Sequence, residues 1–304
     1  MAAALAILAS FFFAVGAILS RRGGMLVSPT RGAQITVLLG PPIFALLAFI
    51  FGEIDESFSL PLLAYVFFGS AGVLHFVGGR SLQYLGIRSI GAARATVIIT
   101  LSPLVSVLIA TIVFDETPGW AVGVGAVLLV LGPILIVVGE RRRRLMMNDA
   151  ESSMPDFDLA RGFLLSGGAA VLWGITPILV KAGLNESDFP VLGLFVSYAA
   201  AAIVVGGILS RPGAGDQLLS ANRTGVRWFV LAGLAVSSAH FVRYLALSEG
   251  DVTIVVLMLQ LVPLFVFLLT WAVNREIETL NAFLLAGGVA VVAGSAVVIA
   301  FQPG

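Results

Sequence analysis

Ten apolar stretches alternate with short polar connections along the chain. They cover residues 2–19, 33–51, 60–77, 90–114, 120–138, 162–180, 190–208, 226–247, 252–273 and 280–301. Most hold about 18–22 residues, enough to cross a ~30 Å hydrocarbon layer as an α-helix. None shows the two-residue alternation of a half-buried strand. Almost every stretch is apolar all round, whereas a soluble helical bundle needs polar outer faces. Interior glycine and proline are common, as transmembrane helices tolerate. The pattern predicts an all-α integral membrane protein with ten transmembrane helices. The first stretch lacks a basic leading segment and is read as a retained span.

The connections divide by charge. Arg21, Arg22 and Arg31 flank loop 1–2, and Arg80, Arg88 and Arg94 surround loop 3–4. Loop 5–6 carries Arg141 to Arg144 and Arg161, loop 7–8 carries Arg211, Arg223 and Arg227, and loop 9–10 carries Arg275. Alternate loops are acidic or neutral, with Glu53, Asp55 and Glu56 in loop 2–3, Glu186 and Asp188 in loop 6–7, and Glu249 and Asp251 in loop 8–9. The Lys/Arg bias predicts cytoplasmic basic loops and both termini outside; the expected location is the cell membrane. The longest connector, 139–161, separates a first five-span half (1–138) from a second (162–304).

Composition strengthens this reading. Of 304 residues, 59% are hydrophobic and 11% charged, with a mean hydropathy of +1.06. Such a chain is neither an ordinary soluble domain nor disordered. Cysteine is absent, which excludes disulfides and thiolate metal sites. Formal net charge is zero, so nothing draws the chain as a whole to nucleic acid. The Arg141–Arg144 run is read as contacting anionic lipid headgroups of the bilayer.

The two halves repeat. Phe13-Ala14, Arg21, Arg80, Tyr84-Leu85, Pro103 and Glu116 recur 160 residues later as Trp173-Gly174, Lys181, His240, Tyr244-Leu245, Pro263 and Glu276. Halves of five spans enter the membrane in opposite senses, which makes this an inverted-topology repeat. Exchanging the roles of two similar halves can present one central site to either side in turn.

Several residues are candidates for that site. Pro103 and Pro263 lie inside spans 4 and 9, where proline removes a hydrogen bond and predicts a kink or gate. His75 and Arg80 belong to span 3, and His240, Arg243 and Tyr244 to span 8. Ionisable groups in a span face its bundle interior or a pore, because lipid exposure is costly. Gln260 is one turn before Pro263, and Trp173 on span 6 offers a flat apolar wall with one polar edge. Trp173, His240, Tyr244, Gln260, His75 and Arg80 are the expected substrate cavity. Packing and interhelical hydrogen bonding are the competing roles, and for Arg80 the snorkelling of its head to the lipid headgroups. Glu116 and Glu276 lie at span ends and are expected to cap the following helix or form interfacial ion pairs, with a gate or proton relay as the alternative role. No carboxylate falls clearly at the middle of a span; the histidines leave proton coupling open. Gly119 with Gly123, Gly206-Gly207, and Gly287-Gly288 with Gly294 suit close helix packing within a monomer or across a homodimer. The sequence has no catalytic, metal or phosphate-binding motif, so it predicts neither an enzyme nor a cofactor.

The repeats resemble the ten-span EamA-type carriers of the drug/metabolite transporter superfamily. Trp173-Gly174-Ile175-Thr176-Pro177 through Lys181 is similar to the opening of an EamA repeat. Arg243-Tyr244-Leu245-Ala246-Leu247, Leu261-Val262-Pro263 and Asn274-Arg275-Glu276 continue it. The first half carries Gln83-Tyr84-Leu85-Gly86, Leu101-Ser102-Pro103 and Phe114-Asp115-Glu116, with Phe13-Ala14 and Arg21 in place of Trp-Gly and Lys. The resemblance implies two inverted five-helix EamA repeats and secondary transport of small organic metabolites or drugs by alternating access, with export as the direction. A passive channel or facilitator and a non-transporting membrane scaffold are the alternatives.

Overall fold

Long apolar runs leave the backbone only its own hydrogen bonds at membrane depth, so each becomes a helix. The computed structural model describes residues 1–53, 55–56, 59–90, 92–146, 159–212, 221–273 and 282–301, and every regular element among them is helical. Eight helices are long and apolar enough to cross a membrane, and shorter apolar helices at Trp120–Gly132 and Ala286–Phe301 complete ten spans. The chain is thus an all-helical membrane protein. Outward faces carry bare aliphatic side chains such as Leu46, Leu108, Ile112, Ile203 and Val289, a surface suited to lipid.

Spans 1 and 2 are Ala2–Gly24 and Pro29–Ile50. Span 3 runs over Leu62–Ile90 with a π-helical segment, Val73–Gly79, inside it. It therefore continues beyond the apolar run ending at residue 77, and Arg80 is on the helix rather than in the loop. Span 4 is Ala92–Ile99 followed by Ser102–Val113. Span 5, Trp120–Met146, extends as helix through the four arginines. Spans 6, 7 and 8 are Leu159–Glu186, Pro190–Leu209 and Arg223–Ser248. Span 9 comprises Val252–Met258, a 3₁₀ turn at Leu259–Leu261 and Val262–Val273; span 10 is Ala282–Phe301. Spans 2 and 7 begin with proline at a position where a missing N–H costs nothing. Span 8 is capped by Asn222, whose Oδ1 accepts the amides of Thr224 and Gly225 at 2.9 and 3.1 Å.

The helices form two compact units, neither of them contiguous in sequence. Unit 1 comprises Met1–Val77 and Thr176–Gly250; unit 2 comprises Gly78–Ile175 and Asp251–Gly304. Each unit takes parts from both repeats. In unit 1, span 1 packs along span 8, and span 7 packs against span 2 and the first part of span 3. Glycines permit these approaches: a Cβ on Gly72 would overlap the Ser197 carbonyl, and one on Gly40 the Tyr198 ring. In unit 2, span 5 packs along span 10, with Gly125 against the Gly294 carbonyl and Gly132 against that of Gly287. The Gly119–Gly123 pair and Gly206-Gly207 face open space and take no part in this packing.

Candidate functional site

Spans 4 and 9 of unit 2 are broken at equivalent places. Pro103 is in the first turn of the second half of span 4, after a break at Thr100 and Leu101. Pro263 follows the 3₁₀ turn of span 9 in the same way. The prolines therefore begin new helical segments rather than kink continuous ones. The Leu104 amide turns to the Leu101 carbonyl at 3.0 Å, which removes the helical donor from Thr100. Gln260 supplies a replacement, its Nε2 donating to the Thr100 carbonyl at 3.3 Å. Thr100 and Gln260 are themselves 160 residues apart, at matching positions in the two repeats. The break of one repeat is thus bridged by a side chain from the break of the other.

Unit 1 joins the chain's only two histidines. The rings of His75 and His240 meet edge to face, with centroids 5.2 Å apart. The π-helical segment of span 3 carries His75 and Phe76 on its widened turn, a feature frequent at functional sites. Phe13 and Phe76 each stand 5.0 Å from His240, and Tyr198 stands 5.9 Å away. His240, Arg243, Tyr244 and Leu247 form an i, i+3, i+4, i+7 stripe of span 8, and all four are buried. Tyr244 and Ser197 share a hydrogen bond of 2.8 Å, and Ser197 Oγ donates to the Phe68 carbonyl at 2.7 Å. One hydroxyl carries one proton, so Tyr244 is the donor to Ser197. Its phenol ties span 8 to span 7, and through Ser197 to span 3.

Of the six residues expected in a shared cavity, His75, His240 and Tyr244 belong to unit 1. Trp173, Gln260 and Arg80 belong to unit 2, where all three are half-buried. The structure brings the two histidines together and sets Tyr244 one helical turn from His240. The aromatic partners Phe13, Phe76 and Tyr198 do not stand out in the sequence, because aromatic residues in an apolar span carry no distinguishing mark.

Three charged side chains are spent on helix ends. Glu116 accepts the amides of Val252 and Thr253 at 2.8 and 2.9 Å, capping the start of span 9. It therefore caps a helix of the other repeat instead of the helix that follows it; its counterpart Glu276 is outside the described residues. Glu53 accepts the Leu192 amide at 2.7 Å in the first turn of span 7. Lys181 Nζ donates to the carbonyls of Leu247 and Gly250 at 2.9 and 3.1 Å, at the end of span 8. Acids at N-termini and a base at a C-terminus agree with the helix dipole. Each glutamate follows a left-handed residue, Gly52 at φ 74° and Asp115 at φ 54°. Glycine adopts that region freely and aspartate more readily than most residues. Burial raises the Glu53 carboxyl above its usual range and nearby Asp188 adds to the effect, while the amides of Leu192 and Val191 oppose it. No cluster of metal-binding type is found among the described residues.

A family model described as the EamA-like transporter family matches residues 1–138 and 160–300. A search of curated proteins gives no match. Among solved structures, a chain titled only as a crystal structure of a protein is similar at 18% identity and a TM-score of 0.77. The match covers 99% of this chain and 98% of that one. At this identity the likeness concerns the fold, and it extends over both repeats.

Proposed function

The chain belongs to the EamA-like transporter family of the drug/metabolite transporter superfamily, and on that footing we propose that it exports a small organic metabolite or xenobiotic by alternating access. The observation that carries the reading is the bond from Gln260 to the Thr100 carbonyl. Broken backbone at membrane depth is tolerated only against protein or a wet cavity, and broken helices are where carriers of inverted-repeat design bind their cargo. A bond between matching positions of two repeats is one that can be exchanged when the repeats exchange roles. Concentrative work comes from a gradient.

Counterflow in reconstituted vesicles tests the proposal. Saturable exchange of internal for external solute, across a panel of metabolites, is the expected result. Non-saturating flux identifies a channel, and no flux with any solute identifies a scaffold. Gln260→Leu leaves Thr100 without its donor, at a cost of about 1–3 kcal/mol, and is expected to lower transport more than surface expression. Transport kinetics unchanged from wild type would take Gln260 out of the site. With Gln260, Trp173 and Arg80 are the proposed solute-facing residues of unit 2, and His75, His240 and Tyr244 are those proposed for unit 1, with Pro103 and Pro263 as pivots.

The contact between the two histidines favours protons as the coupling ion. Imidazole is the side chain suited to taking up and giving back a proton near neutral pH, and the chain's two lie in contact. A pH gradient imposed on the same vesicles should drive net flux; flux indifferent to the gradient removes proton coupling.

The basic loops are proposed to be cytoplasmic, with both termini outside the plasma membrane. Exposed Asp188 in loop 6–7 and Arg211 in loop 7–8 are suited to labelling. Cysteine at 188 should react with an impermeant maleimide on intact cells, and cysteine at 211 only after permeabilisation. The reverse pattern would invert the topology.

A further inference from the structure

Arg243 carries a cation that no described carboxylate of its own unit balances. It is 5% exposed, and its Nε is buried without a hydrogen-bond partner. An isolated guanidinium withdrawn from water is costly and, unlike lysine, does not escape the cost by losing its proton. The described carboxylates of unit 1 do not offset it. Glu53 is engaged with the Leu192 amide, and Asp55, Glu56, Glu186, Asp188 and Glu249 are exposed. The hydroxyl of neighbouring Tyr244 is committed to Ser197. A buried cation maintained on this stripe of span 8 calls for an anion from elsewhere.

We propose that Arg243 is the anchor for the carboxylate of the transported solute, so that the substrate class is small organic acids or zwitterions bearing a free carboxylate. Nε–H and one terminal N–H form the side edge of the guanidinium fork. That edge matches the two oxygens of a carboxylate. A carboxylate neutralises one guanidinium charge for charge, whereas a dianionic phosphate would carry surplus negative charge into the apolar unit. Arg243 is three residues after His240 on the same buried face of span 8, so an anion on the fork lies close in sequence and on the same helix face as the imidazole that meets His75. The assignment deepens the transport reading by naming the chemistry of its cargo.

The test is binding to purified, full-length protein in detergent, which does not depend on flux. Thermal stability is followed against matched pairs of carboxylates and their primary carboxamides, with short aliphatic and phenylalkyl bodies, at about pH 7 where carboxylates are ionised. At least one carboxylate should raise the melting temperature saturably while its carboxamide does not. Arg243→Gln should weaken that carboxylate about 10- to 100-fold, as loss of a charge-assisted pair does, and Arg243→Lys should retain part of the binding. Equal binding of both members of a pair, no binding of any carboxylate, or wild-type affinity in a folded Arg243→Gln protein would overturn the assignment. A stabilisation reproduced by chloride or inorganic phosphate alone would do the same. If Arg243→Gln does not fold, the matched pairs on the wild-type protein decide the matter. Failed binding beside saturable counterflow rejects the anchor and retains the carrier; binding without flux rejects the carrier alone.

Discussion

Gly72→Ala should destabilise the protein by about 3 kcal/mol or more, the upper end of what a single overpacked methyl costs. The added carbon would overlap the carbonyl, carbon and Cα of Ser197. These are main-chain atoms of span 7 and cannot turn aside as a side-chain tip can. Gly69, one turn earlier on the same helix, is the internal control. A Cβ there would meet Ala200 Cβ at 3.7 Å, an ordinary contact, and Gly69→Ala should leave the melting temperature near wild type. Comparing the two purified proteins in detergent checks the expectation. Equal melting curves would mean that spans 3 and 7 are not in such close approach. Because Ser197 also accepts from Tyr244 and donates to Phe68, separating these helices should disturb the buried face of span 8 as well.

Glu116→Ala should cost roughly 2–4 kcal/mol, since it removes a charged acceptor from two amides at once. The helix it caps, Val252–Met258, is seven residues long and buried at every position. Glu116→Gln retains one acceptor oxygen and should lose about half as much. Asp115→Val strains the left-handed turn that aims Glu116, at about 1–2 kcal/mol, while Asp115→Gly should be tolerated. Melting temperatures of the four variants give the order. If Glu116→Ala matches wild type, the cap contributes nothing to stability.

The ten spans were legible because membrane burial leaves an all-round apolar mark, and the repeat because residues such as Pro103 and Pro263 keep their spacing. The form of the interruption was not. A proline lacks its N–H in a kinked helix and at the start of a new one alike, and only the turn of the Leu104 amide to Leu101 separates the two. Glu116 was read as a local cap, since capping usually reaches a few residues; its partner is 136 residues away and is brought close only by packing. His75 and His240 were each identified as polar groups in a span, but their contact depends on spans 3 and 8 belonging to one unit. Arg243 in sequence is one more polar group of span 8. Its burial without a carboxylate is a property of the packed unit and leaves no trace in local sequence.

The division of each unit between the repeats bears on how the protein is made. Unit 1 needs Thr176–Gly250 to complete what Met1–Val77 begins. At a ribosomal rate of about 5–20 residues per second, roughly 5–20 s pass between synthesis of Val77 and of Thr176. During that interval the glycine face of span 1, with Gly16 and Gly23 awaiting Val236 and Phe229 of span 8, has only lipid or the insertion machinery for company. Unit 2 is no better served, because span 5 waits for span 10, five spans later. The evolutionary module and the folding module are therefore different objects: the repeat can be duplicated as a gene segment, yet neither copy holds a complete core until the other has been inserted.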